Sequence, residues 1–245
     1  NGEVYLLMAK QQTKNNPPIG EAREQRTKDG DKNPSVSFIS KKIFIALIAI
    51  VTITFIVYIP SFKNAFTNWD DQEYVTNNKD IRELSKASIK KDFTTYKMGN
   101  YHPLTMLTYM VEYRFSKLEP RTYHITNFII HALNTILVFL FIQLLTKNQI
   151  VSSITALLFG IHPMHVESVA WVAERKDVLY AFFYLSALST YCLYTDNKKI
   201  TYYLLTCILF ILSLLSKGVA VTLPIVFILI DHLKQRKFTL KTIGE

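Results

Sequence analysis

Cysteine is nearly missing from this sequence: Cys192 and Cys207 are the only two in 245 residues, and both sit inside apolar runs. A thiol there behaves as a small hydrophobe. No disulfide framework is indicated, and no CxxC pair offers a metal site. The HExxH pattern of a zinc hydrolase is missing too. So is any convincing internal repeat of the membrane helices, which a transporter would carry. An acidic balance is also lacking, because 28 Lys and Arg outweigh 19 Asp and Glu for a formal net charge of +9. Such an excess suits nucleic acid or an anionic membrane surface. Here it gathers in the N-terminal tail and at the ends of apolar runs, which points to membrane topology and away from nucleic acid.

What is present is apolar. Hydrophobic residues make up 49% of the chain and the mean hydropathy is +0.15, which places it among membrane proteins. Residues 1–42 are polar and broken by Pro17, Pro18, Gly20, Gly30 and Pro34. They read as a disordered cytoplasmic tail that cannot bury enough apolar area to offset ordering entropy. The chain opens on Asn1 with "MAKQQ" beginning at Met8, and it stops in mid-pattern at Glu245, which suggests a piece of a longer protein. Residues 43–245 read as a partial membrane domain. "IFIALIAIVTITFIVYIP", residues 43–60, carries no charge and no cleavage-site pattern, so it is expected to be a retained first transmembrane helix.

Residues 61–121 form a long polar and aromatic loop with short helices expected along the membrane surface. Apolar runs follow at about 124–145, 150–160, 177–195 and 200–231. The last is too long for one crossing and is expected to divide at "SKG", around Lys217 and Gly218. The 150–160 run is short for a span and is expected to continue into the next segment or to cross obliquely. The whole reads as an all-α polytopic bundle of about six transmembrane helices. With the N-terminus in the cytoplasm, Lys147, Lys198, Lys199, Lys234, Arg236 and Lys237 fall on the cytoplasmic side. The short outer connections then hold only Arg175, Lys176 and Lys217. The long loop, the 161–177 stretch and Lys217 thus share one membrane face.

That face carries the ionisable chemistry. "NWDDQEY" follows the first helix, and Asp70 and Asp71 are adjacent carboxylates beside Trp69. Side by side they can differ in protonation, one serving as a base while the other orients or binds a cation. A solvated turn with an interfacial tryptophan explains the motif as well. His102-Pro103 and His162-Pro163 place proline where helices begin, with each histidine as the cap or as a donor to an anion. His124, Asn127, His131 and Asn134 share one stripe of a helix. For His131 and Asn134 interhelical hydrogen bonding is the preferred reading, while His124 could reach a site. His162, His165 and Glu167 resemble a metal half-site, but the set is weak and no cofactor is expected. Arg175 and Lys176 at the membrane boundary are either snorkelling anchors or a phosphate clamp. Lys217, between two apolar helices, is an intramembrane cation and so a functional candidate.

"NWDDQEYVTNN", "NYHPLTMLTYMVEYR", "HPMHVESVAWVAERKDVL" and "LLSKGVAVTLPIVFILID" together resemble the membrane half of the transmembrane and tetratricopeptide-repeat containing O-mannosyltransferase family, including its bacterial relatives. The resemblance covers about residues 55–232. Gly218 departs from it, standing where relatives often carry proline. The resemblance implies a glycosyltransferase C fold, with further membrane helices and tetratricopeptide repeats downstream of this chain. It also implies transfer of a sugar, mannose by family, from a polyprenyl-phosphate carrier to a protein hydroxyl at the outer face, with inversion. The setting would be a bacterial inner membrane, or the endoplasmic reticulum in a eukaryote.

By that resemblance an acidic residue of the first outer loop, Asp70 or Asp71, is the base. Arg175, Lys176, Lys217 and His162 are expected at the donor phosphate. Trp69, His102, His124, His165 and Glu167 are expected around the substrate cavity. The partners implied are the lipid-linked sugar, an acceptor protein and membrane lipid. The competing reading is a non-catalytic membrane anchor or scaffold for a tetratricopeptide-repeat domain.

Overall fold

A computed structural model describes residues 41–236. The tail assigned to residues 1–42 lies outside them except for Lys41 and Lys42. The described part is helical, with no strand; one isolated bridge pairs Lys97 with Asn100.

Helix α1 (Lys41–Tyr58) runs on into a 3-10 turn, Ile59–Lys63. Its outward side chains, among them Phe44, Ile45 and Ile56, are exposed, as expected for a helix bathed in lipid. The first loop then folds into short pieces: a π turn over Gln72–Thr76, a 3-10 turn over Asp80–Arg82, and α2 (Lys86–Asp92). Ser85 caps α2 by accepting from the Ser88 amide at 3.2 Å. Helix α3 (Pro103–Ser116) opens on a proline, which suits a first turn whose amides lack partners. Helix α4 (Pro120–Thr146) follows and ends at Lys147, whose φ of 55° turns the chain left-handed.

Helix α5 (Gln149–Ile161) is capped by Asn148 and stops at His162, because Pro163 cannot continue the hydrogen-bond ladder. A short helix, α6 (Val166–Ala170), resumes with a bend of 50°. The 150–160 run therefore continues into the following segment as a bent pair. Helix α7 (Arg175–Asn197), α8 (Ile200–Ser216) and α9 (Leu223–Leu233) complete the bundle, with the expected break at Lys217 and a 3-10 turn over Gly218–Thr222.

Among the described residues, three helices are long and apolar enough to cross a membrane, Lys41–Lys63, Pro120–Thr146 and Val172–Asn197, or up to four if the bent pair is one span. This is a membrane protein, and three or four crossings are what these lengths show by themselves. At 1.5 Å per residue the 17 residues of α8 extend about 26 Å, short of a ~30 Å hydrocarbon core.

Packing among the spans depends on close backbone approach. A side chain at Gly160 would meet the Thr54 hydroxyl at 2.5 Å and Thr135 at 3.1 Å, so α1, α4 and α5 meet where only glycine fits. The His131 ring hydrogen-bonds the Gly160 carbonyl at 2.9 Å, and Asn134 donates to the Val178 carbonyl at 2.8 Å. Both residues thus make the interhelical bonds expected of them.

The loop does not stand away from the membrane helices. Tyr74, Val75 and Ile81 of the loop bury with Tyr109 and Met110 of α3, Tyr123 of α4, and Val172 and Ala173 ahead of α7. Each fully buried side chain of this kind is worth roughly 1.5–3 kcal/mol relative to exposure. This packing holds the loop over the start of α7.

Candidate functional site

The two aspartates after α1 part company. Asp71 is fully buried and its carboxylate accepts from the Thr67 amide at 2.8 Å, the Thr67 hydroxyl at 3.2 Å and the Ala173 amide at 2.8 Å. It ties the loop to the turn Val172–Glu174. Asp70 is half-buried and its carboxylate makes no hydrogen bond or ion pair among the described residues. Trp69 is 74% exposed.

Arg175 begins α7 and is fully buried. Its guanidinium pairs with Glu112 of α3, donates from Nε to Asn127 Oδ1 at 2.8 Å and from Nη2 to the Tyr123 carbonyl at 3.1 Å. It also lies over the Tyr109 and Tyr123 rings, at 4.6 and 5.4 Å. Its charge is fully engaged by protein groups. A buried cation needs such a set to offset its desolvation.

The next residue turns the other way. Lys176 Nζ reaches Glu174 Oε1 at 2.7 Å and the Ala173 carbonyl at 3.1 Å, over the Tyr74 ring. Lys217, in the break between α8 and α9, pairs with Asp177 and keeps 30% of its side chain exposed. Lys176, Lys217 and His102 line one cavity of about 380 Å³, with Asn100, Leu214 and Leu215 among its other walls. The tight turn at Met98 and Gly99, with φ of 49° and 74°, delivers Asn100, Tyr101 and His102 to it. The lining of the cavity combines two cations with two leucines.

His102 is buried, its Nε2 without a partner among the described residues, edge-on to the Tyr74 ring at 5.1 Å. Burial, then the positive charges of Lys176 and Lys217, push its pKa down to about 4, so it is neutral at pH 7. Burial raises the Tyr74 phenol above its ordinary value. The Asn100 hydrogen bond opposes that rise, and the nearby Asp70 and Glu174 charges add to it.

The other expected residues lie elsewhere. His162 is exposed and its Nδ1 accepts from the Met164 amide at 3.2 Å, capping the turn as the proline pattern suggested. His165 is half-buried against Phe159, with ring centres 4.5 Å apart, and Glu167 is exposed. Neither these three nor Arg175 line the cavity. His124, on α4, is buried, with the backbone of Asn64, Ala65 and Ala170 within reach of its ring. Among the described residues no three His, Cys, Asp or Glu side chains could hold a metal ion.

Three participants escaped the sequence reading. Glu112 could have been found, since Thr105, Tyr109 and Glu112 share one face of α3 at spacings of four and three. Asn100 and Tyr74 lie inside the quoted motifs "NYHPLTMLTYMVEYR" and "NWDDQEYVTNN", where the neighbouring histidine and aspartates drew the reading instead.

Comparison with known proteins bears on this arrangement. Protein O-mannosyl-transferase TMTC3 of Homo sapiens is 34% identical over 131 residues, which is 50% of this chain and 14% of that protein. Protein O-mannosyl-transferase Tmtc1 of Drosophila melanogaster is 28% identical over 201 residues, 78% of this chain and 23% of its own length. A protein O-mannosyl-transferase of Caenorhabditis elegans is 27% identical over 219 residues, 84% of this chain and 31% of its own. The chain is a homologue of these O-mannosyltransferases. It spans less than a third of the length of each of these three relatives. No family model matches it. No solved structure matches it.

Proposed function

We propose that the chain is the membrane portion of a protein O-mannosyltransferase. It takes mannose from a polyprenyl-phosphate carrier and gives it to a protein hydroxyl at the outer face. The observation that carries this reading is the cavity where Lys176, Lys217 and His102 meet Leu214 and Leu215 at the start of α7. A polyprenyl phosphate is an anionic head on an apolar tail, and such a cavity offers both chemistries side by side. Glu174 and Asp177 neutralise the two lysines when no ligand is present, and an incoming phosphate would compete for them.

Asp70 is the proposed base, because its carboxylate makes no hydrogen bond or ion pair among the described residues, while Asp71 is used in holding the loop. The acceptor hydroxyl attacks the anomeric carbon and passes its proton to Asp70. The bond from that carbon to the phosphate oxygen breaks, and the carrier phosphate leaves against Lys176 and Lys217. A single displacement inverts the anomeric centre. Arg175 holds the platform from which Lys176 projects. No step calls for a metal ion. The membrane arrangement that goes with this is a glycosyltransferase C bundle of six crossings, α8 and α9 included, with a cytoplasmic N-terminus.

The test is a transfer assay on the full-length protein with polyprenyl-phosphate mannose and a hydroxyl acceptor. Asp70→Asn should reduce turnover about 100-fold or more, and Lys176→Ala with Lys217→Ala should weaken donor use while membrane insertion stays normal. Transfer at the parent rate by both variants would sink the proposal.

A further inference from the structure

A second cavity adjoins the phosphate cavity. It measures about 180 Å³, and it shares two walls, Asn100 and His102, with the first. Its other walls include Asp80, Lys91, Asp92 and Lys97. Two residues of its lining carry a buried polar atom with no hydrogen-bond partner among the described residues: Asp92, only 9% exposed, at Oδ2, and His102, only 4% exposed, at Nε2. Leaving such groups unmade is costly, so each marks a place for a hydrogen-bonding ligand.

The charges say what kind of ligand. Two ammonium groups, Lys91 and Lys97, disfavour a cation, and two carboxylates, Asp80 and Asp92, disfavour an anion. Lys91 already pairs with Asp80 at 2.7 Å. A neutral ligand rich in hydroxyls meets every wall, donating to Asp92 and to a neutral imidazole nitrogen and accepting from Lys97 or Asn100. Tyr96, 74% exposed, adds an aromatic face at the same cavity, against which the C–H face of a sugar ring can stack.

We infer that this cavity is the subsite for the carrier's single hexose ring, with Asp92 as its hydroxyl-recognising carboxylate. The inference rests on the phosphate reading of the neighbouring cavity and adds the sugar to it. A carrier phosphate between Lys176 and Lys217 would send its glycosyl group past His102 and Asn100, the walls the two cavities share. Asp92 lies outside every motif that carried the family resemblance.

The experiment compares two probes on full-length protein in micelles: polyprenyl-phosphate mannose and bare polyprenyl phosphate. Asp92→Asn keeps the shape and removes the charged acceptor, so it should weaken the mannosyl carrier about tenfold and leave the bare carrier unchanged. Tyr96→Ala removes an exposed ring without threatening the fold, and should also weaken only the mannosyl carrier. Equal affinity of the variants and the parent for the mannosyl carrier would overturn the sugar subsite while the phosphate reading stands. Equal loss for both carriers would overturn it as well, because the effect would not be sugar-selective. Failure of the parent protein to bind either carrier would overturn the phosphate reading and the subsite with it.

Discussion

Adjacent residues in this chain do unlike work, and burial decides which. Arg175 and Lys176 are neighbours in a basic pair, yet Arg175 is sealed among Glu112, Asn127 and two tyrosines while Lys176 faces a cavity. A desolvated ion pair contributes little net stability, but removing one partner leaves an uncompensated charge in a low dielectric. Glu112→Ala should therefore destabilise the protein by roughly 3–5 kcal/mol. Replacing both partners together, Glu112→Leu with Arg175→Met, should cost much less. Thermal unfolding in detergent measures both, and a single variant as stable as the parent would show that the pair is dispensable. The same distinction separates Asp71, with three donors, from Asp70, with none among the described residues.

At the scale of elements, Gly160 is the point where three helices press together. Gly160→Val would force α1 or α4 outward, and overpacking of this kind costs about 1–3 kcal/mol. A Thr54→Ala change made with Gly160→Ala relieves the contact at 2.5 Å and should recover part of the loss. Expression and melting of the single and paired variants report it; a fully stable Gly160→Val protein would mean the helices have room to spare.

Much of this layer was legible in the sequence. The uncharged run after Lys42, the division at Lys217 and the interhelical bonds of His131 and Asn134 all followed from length, breakers and period. Length shows three or four crossings by itself, because α8 and α9 are apolar throughout but short. The division of labour at the site was hidden. Whether an aspartate, arginine or histidine is engaged depends on partners far away in the chain, such as Ala173 for Asp71 and Glu112 for Arg175. A motif records none of these.

For the molecule as a whole, the loop, the start of α7 and the break at Lys217 are assembled on a scaffold of helices of unequal length. The 27 residues of α4 extend about 40 Å, some 10 Å beyond the ~30 Å apolar slab. Its first turns carry Tyr123 and Asn127, the two α4 groups that hold Arg175. The site is therefore set at a height that the lipid, as well as the protein, controls. In bilayers of longer acyl chains α4 should tilt less and sink its first turns into hydrocarbon, at a cost of fractions of a kcal/mol per Å. Transfer measured across vesicles of increasing chain length should fall once the slab exceeds its usual thickness, and a flat response would show that the site rides free of the bilayer. Hydrophobic mismatch then becomes a rheostat, so that where in a cell's membranes the protein resides would itself tune how fast it works.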